Sequence, residues 1–361
     1  MQVVGAAFAG QVLSVRRRPA PLLVFTLLTL LLVSVAIMSA MVGAAGIPLG
    51  RLFAALVGSG DDPALLARDQ LVLFSIRLPR IAVAMTVGAL LALAGAIMQG
   101  LFRNPLADPS LVGVSSGAGL AAASTIVLGD RFLSASFGPL PFEVLPVAAF
   151  VGALAATAAL YRIATHSGRT SIGVFLLGGL AIAALANAGT GLLVFVADDR
   201  QLRDVTFWLL GSLAGSTWPK VGAVLPFMIA AIVALPLIAR GLDLLVLGEA
   251  EAFHAGVPLQ RLKMVAIVLV SAATGAAVSV SGLIGFVGIV VPHLLRLMIG
   301  PAHGKLLPAS MLLGAALMLC ADTAARLMAA PAEVPIGIIT AAIGAPFFLA
   351  LLLRQRSAAT L

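Results

Sequence analysis

The chain has 361 residues, 61% of them hydrophobic and only 10% charged, with a formal net charge of +8. A soluble domain runs near a quarter charged, so this chain cannot clothe a globule of its size, and disorder is excluded because it combines low hydrophobicity with high net charge. One cysteine, Cys320, rules out a disulfide framework or a cysteine-rich metal cage, and no basic run exceeds Arg16-Arg17-Arg18, so the positive balance marks membrane topology rather than a nucleic-acid surface.

A helix crossing a hydrocarbon core of ~30 Å needs about 20 residues. Suitable apolar stretches lie at 22–42, 80–101, 109–128, 144–163, 172–196, 221–239, 259–280, 284–298, 306–325 and 335–353. The fold class is therefore all-α, a polytopic membrane protein with about ten transmembrane helices. The first stretch follows three arginines but is longer than a signal-peptide core, so it reads as an uncleaved helix. Segments 48–58 and 200–212 read as interfacial helices. Pro79 reads as the start of the second span, where a missing N–H costs nothing. Met264 to Leu295 is too long for one straight span and divides at Ser279–Gly282, which leaves a short eighth span. The whole chain, 1–361, forms one transmembrane domain with a membrane core at 21–356 and a long inner loop at 240–258.

Ten spans put both termini on one side. With the termini cytoplasmic, thirteen of the 22 lysines and arginines lie inside, and ten of the 14 acids lie outside. The basic bias favours that orientation.

Some chemistry is missing. Gly300-Pro301-Ala302-His303-Gly304-Lys305-Leu306 is one residue short of a phosphate-binding loop, and Leu306 stands where a hydroxyl would hold Mg²⁺. If ATP drives this protein, another chain hydrolyses it. The histidines, His166, His254, His293 and His303, fall near the inner face and read as solvated or capping residues, so no metal site is expected. Asp322 and Glu143 sit at span ends, and the polar groups well inside spans are uncharged, among them Gln99, Asn187, Thr190 and several serines. An ion-driven secondary transporter acting alone, the alternative of another class, usually carries an intramembrane acid.

Four motifs remain. Arg77-Leu78-Pro79-Arg80 is followed by glycines from Gly88 to Gly100 and by Arg103-Asn104-Pro105-Leu106-Ala107-Asp108-Pro109, then Gly113, Gly117 and Gly119. Phe207-Trp208 leads to Gly211-Ser212-Leu213-Ala214-Gly215-Ser216-Thr217-Trp218. The inner loop holds Leu247-Gly248-Glu249 through Ala252-Phe253 to Gly256-Val257. The last runs from Gly282 through Pro292, Asp322, Arg326, Glu333 and Gly337 to Gly344-Ala345-Pro346. Over residues 45–353 these resemble the permease subunits of ABC importers for iron chelates, haem and vitamin B12, which implies a vitamin B12 importer permease-like fold.

The resemblance implies roles. Arg77, Arg80 and Arg326 would receive acidic residues of a periplasmic substrate-binding protein. Leu247, Gly248, Glu249, Ala252, Phe253, Gly256 and Val257 would form the coupling knob seated in an ATPase. Gly179, Asn187 and Thr190 would line the translocation path, with Thr170 and Ser171 as its inner gate. The partners implied are a second copy in a homodimer, two ATP-binding cassette ATPase subunits that bind the ATP and Mg, the binding protein, and membrane lipid. No cofactor is expected on this chain, which is a translocation subunit rather than an enzyme. The location implied is a bacterial inner membrane. The Gly211–Trp218 segment resembles the haem importers most, with ferric siderophore and cobalamin as the alternatives.

Overall fold

A bilayer core offers no water to backbone N–H and C=O groups, so apolar segments satisfy them internally as helices. The computed structural model describes residues 19–43, 46–59, 62–129, 144–167, 169–330 and 332–359. Arg16, Arg17, Arg18 and Glu143 lie outside the described residues. The helices are α1 (Pro21–Met41), α2 (Leu49–Val57), α3 (Pro63–Leu71), α4 (Leu78–Leu101), α5 (Val114–Leu128), α6 (Val144–Ala164), α7 (Ile172–Val196), α8 (Asp199–Leu210), α9 (Trp218–Leu247), α10 (Glu249–His254), α11 (Leu259–Ser281), α12 (Val287–Ile299), α13 (His303–Met328) and α14 (Ile336–Ala359). A two-strand hairpin, β1 (Thr165–His166) with β2 (Arg169–Thr170), joins α6 to α7.

Seven helical segments among the described residues are long and apolar enough to cross a membrane, and three shorter apolar helices occupy 114–128, 287–299 and 336–351. Together they match the ten stretches read from the sequence. The amphipathic segments α2 and α8 also fall where expected.

The second span differs. It is one 39-residue helical run from Pro63 to Leu101, so Pro79 lies inside it rather than at its start. A proline within a helix lacks one donor and crowds the carbonyl four residues back. Here residues Val72–Arg77 form a π-helical turn, in which the Leu78 N–H reaches back five residues to Leu73. The wider coil just before Pro79 takes up that crowding.

This run is the centre of the fold. Its most apolar window is 83% buried, and α4 packs against α13, α11, α9 and α12. A second group, α5, α6 and α7, joins the first where α6 meets α11. Glycines set the spacing between helices. A Cβ on Gly88 would overlap the Gly314 carbonyl of α13, and one on Gly117 would overlap the Gly152 carbonyl of α6. Without a hydrophobic drive between helices in lipid, such close backbone approach supplies the packing.

The eighth span is short. At 1.5 Å per residue, α12 covers about 20 Å, less than the bilayer core. The chain before it is extended, with left-handed backbone at Gly282 (φ 69°) and Phe286 (φ 68°). Irregular backbone at this depth requires protein partners. The Ser281 carbonyl accepts from the Ser212 N–H at 2.7 Å, and Gln99 Nε2 donates to the Gly288 and Ile289 carbonyls at 3.3 Å.

Candidate functional site

The end of the helices that the charge bias assigns to the outside, the outer end below, gathers the three arginines. Arg80 donates through Nε to Asp322 at 2.9 and 3.1 Å, through Nη2 to Asp322 at 2.8 Å and Glu333 at 2.9 Å, and through Nη1 to Glu333 at 2.7 Å. Arg326 donates to the same Asp322 at 3.2 Å, to Ser39 Oγ at 2.7 Å and to the Val42 carbonyl at 2.9 Å. Arg77 donates to the Ala40 carbonyl. A Cβ on Gly43 would meet both Arg77 Nη2 and Arg326 Nη1 within 3.4 Å, so these two guanidinium groups converge on the end of α1. Arg77 and Arg80 are only 6% and 9% exposed. The sequence placed these arginines as docking residues and Asp322 at a span end; in the fold Asp322 is fully buried and all three arginines bond within the chain. The Arg80 guanidinium holds the Glu333 carboxyl below its ordinary range.

An outer cavity of about 630 Å³ opens beside this end. Phe207 and Trp208 of α8, Arg200 and Asp204 of the same helix, Ser212 and Lys220 line part of it. The α8 start is fixed by a capping box between Asp198 and Gln201. Trp218 lies apart and donates to the Phe74 carbonyl at 2.9 Å.

The α7 face exposes Asn187, Leu177, Leu185 and Leu192, while Gly179 lies on the buried face near the Gly113 turn. Thr190 is half-buried and returns its hydroxyl to the Ala186 carbonyl. A second cavity, about 400 Å³, lies between the Leu106–Ser110 turn and the extended stretch 283–286. The Asp108 carboxylate there accepts from the Ser110 N–H at 2.8 Å.

At the inner end, Gly248 (φ 137°) and Gly256 (φ 82°) bracket α10. Both angles lie where side chains are strained, so glycine makes the knob possible. Of the apolar residues expected in the knob, Leu247 and Phe253 are each 68% exposed, whereas Ala252 is fully buried and Val257 packs on the core. Glu249 turns back to Lys263 of α11 at 2.9 Å. Lys263 is 2% exposed and also donates to the Thr170 carbonyl at 3.3 Å. The Thr170 N–H donates to Gln260 Oε1 at 3.0 Å, and its hydroxyl meets Thr165 Oγ1 at 2.9 Å. Ser171 caps α7 by accepting from the Val174 N–H. The knob and the hairpin before α7 are thus one bonded unit.

Sequence reasoning missed Lys263 and Gln260. A lysine four residues into an apolar span was the available signal. It also missed the burial of two of the histidines expected near the inner face. His293 is 8% exposed, and His303 is 1% exposed with Nδ1 2.7 Å from Asp243, pinning the start of α13 to the end of α9.

The chain is similar to known proteins along nearly its whole length. It matches the FecCD transport family over residues 29–354. It is 47% identical over 283 residues to the cobalamin import system permease protein BtuC of Halobacterium salinarum, covering 78% of this chain and 73% of that one. It is 41% identical to the hemin transport system permease protein HmuU of Yersinia pestis, covering 94% and 98% respectively. A solved metal-chelate type ABC transporter in an inward-facing conformation superposes with a TM-score of 0.80 at 34% identity, covering 93% of this chain and all of that one. The chain belongs to the FecCD transport family of ABC importer permeases.

Proposed function

We propose that this permease moves haem from the periplasm to the cytoplasm through a path between two copies of the chain in a bacterial inner membrane. Both termini face the cytoplasm. Two ATPase subunits carry the ATP and Mg beneath the dimer, a periplasmic substrate-binding protein docks above it at the Arg77, Arg80 and Arg326 cluster, and this chain binds no cofactor. Alternating access then follows from rocking of the two halves. ATPase closure pushes on Leu247 and Phe253 of the knob, and the Glu249–Lys263–Thr170 bonds carry the push to Thr170 and Ser171 at the inner end of α7. Asn187 fits the path because an amide facing lipid would be costly.

The observation that carries haem is the outer cavity. Phe207 and Trp208 bring aromatic surface to its lining for a flat ring system, and Lys220 and Arg200, the latter 3.9 Å from Asp204, bring positive charge for carboxylates. The near end-to-end likeness to a hemin permease supports the same substrate. The higher identity to a cobalamin permease favours cobalamin as the second reading. Proteoliposomes holding the permease, its ATPase and its binding protein test the choice. ATP-dependent accumulation of haem is expected, and accumulation of cobalamin or a ferric siderophore without haem would overturn it.

A further inference from the structure

One cation at the outer end serves two carboxylates, and the two are unlike. Asp322 belongs to α13, its side chain is 0% exposed, and it is shared between Arg80 and Arg326. Glu333 stands between α13 and α14, and its side chain is 35% exposed. A sealed carboxylate on a helix cannot leave without stripping a buried guanidinium of its charge partner. A carboxylate on a connecting segment, with water beside it, can swing out and hydrate at small cost.

The bonding of Arg80 makes this difference matter. Nε and Nη2 are held by Asp322, while Nη1 and Nη2 form a second fork with Glu333. An incoming acidic side chain finds that second fork taken. Three arginines against Asp322 and Glu333 leave the cluster a net charge of +1.

We infer that Glu333 is an internal stand-in for an acidic side chain of the docking protein. It keeps Arg80 paired while the outer face is vacant and exchanges for the partner's carboxylate on docking. The inference rests on the docking role proposed above. The exchange trades one carboxylate for another on one planar fork, the geometry for which arginine is suited. The buried guanidinium is paired at both end states. The same connecting segment is held by the Val334 N–H to Ala325 O at 3.3 Å and by the Ile336 N–H to Gly211 O at 3.0 Å. Gly211 adjoins Ser212 of the outer cavity, so the exchange sits one hydrogen bond from the corner that walls it.

The test measures binding of the substrate-binding protein that co-purifies with the assembled importer to the permease–ATPase complex in nanodiscs. Glu333→Gln removes the competing charge and raises the cluster to +2. It should tighten docking by roughly three- to tenfold, through faster association that salt suppresses. Glu333→Asp keeps the charge one methylene short of the fork and should give a smaller gain of the same sign. Arg326→Glu gauges the docking role itself and should abolish binding. Unchanged or weaker docking in Glu333→Gln, with Arg326→Glu still abolishing it, would overturn the inference and leave the docking role standing. If Glu333→Gln does not assemble, unchanged or weaker docking in Glu333→Asp decides in the same way. Docking insensitive to Arg326→Glu and to Arg80→Glu would remove the docking role, and the inference with it.

Discussion

Lys263 Nζ lies 2.9 Å from the Glu249 carboxylate and 3.3 Å from the Thr170 carbonyl. One buried ammonium therefore joins the inner knob to the hairpin that begins α7. Its two partners differ in exposure, because the Glu249 side chain is 38% exposed and that of Lys263 only 3%. The two ends of this link should therefore respond differently to substitution.

Removing Lys263 frees a carboxylate that water can reach. Lys263→Met should cost about 1.5 kcal/mol, the low end of the range for a lost hydrogen bond to a charged group. Removing Glu249 strands a buried cation, so Glu249→Ala should cost more, about 3 kcal/mol. Thermal melts of the purified permease check the order. Lys263→Met should also raise the ATP hydrolysed per substrate moved, because the knob no longer pulls on Thr170. An unaltered ratio would detach the knob from the hairpin functionally.

The outer cluster makes a prediction about acid. Arg80 holds the Glu333 pKa below the ordinary glutamate value of 4.5. A depressed folded pKa means the pair contributes its full stability above the unfolded value and loses it as pH falls through the folded one. The Arg80–Glu333 contribution should therefore be intact at pH 6 and fade only below about 4.5. Comparing the melting difference between the parent and Glu333→Gln at pH 6 and at the lowest pH the complex tolerates checks this. The difference should shrink only toward the acid end.

The knob exposes Leu247 and Phe253 and keeps Ala252 inside. Phe253→Asp should abolish ATPase association while leaving the melting temperature nearly unchanged, since exposed substitutions stay within about 0.5 kcal/mol. Ala252→Asp should instead destabilise the chain by burying an unpaired carboxylate. Co-purification with the ATPase and a thermal melt separate the two effects.

Helix contact predicts a steric penalty. Gly88 and Gly314 approach so closely that a methyl on either meets the other's carbonyl. Gly88→Ala should cost about 1–3 kcal/mol through overpacking. Gly222→Ala, inside α9 where a Cβ meets nothing within 4 Å, should instead be neutral or stabilising by up to about 1 kcal/mol. Side-by-side melts test the pair.

Much of this was legible in the residues. Among the described residues hydropathy located every long apolar helix, because a bilayer ties span length to composition. The glycines of the knob announced its turns. Partner identity was harder to read, because charge pairing is long-range in sequence. Arg80 bonds Asp322 and Glu333 more than 240 residues away, so a local motif showed a cation but not what would neutralise it. The same holds for Lys263 and Thr170, 93 residues apart. Pro79 misled for another reason. A proline looks like a helix start until the backbone reveals a π turn that accommodates it.

The central claim is that this chain works as a dimeric permease on ATPase partners. Native mass spectrometry of the complex, extracted in mild detergent from cells co-expressing its ATPase, tests it most directly. The account predicts two copies of this 36.5 kDa chain with two copies of the ATPase, and loss of the ATPase from the Phe253→Asp variant. A chain that appears alone, or only with itself, would contradict it.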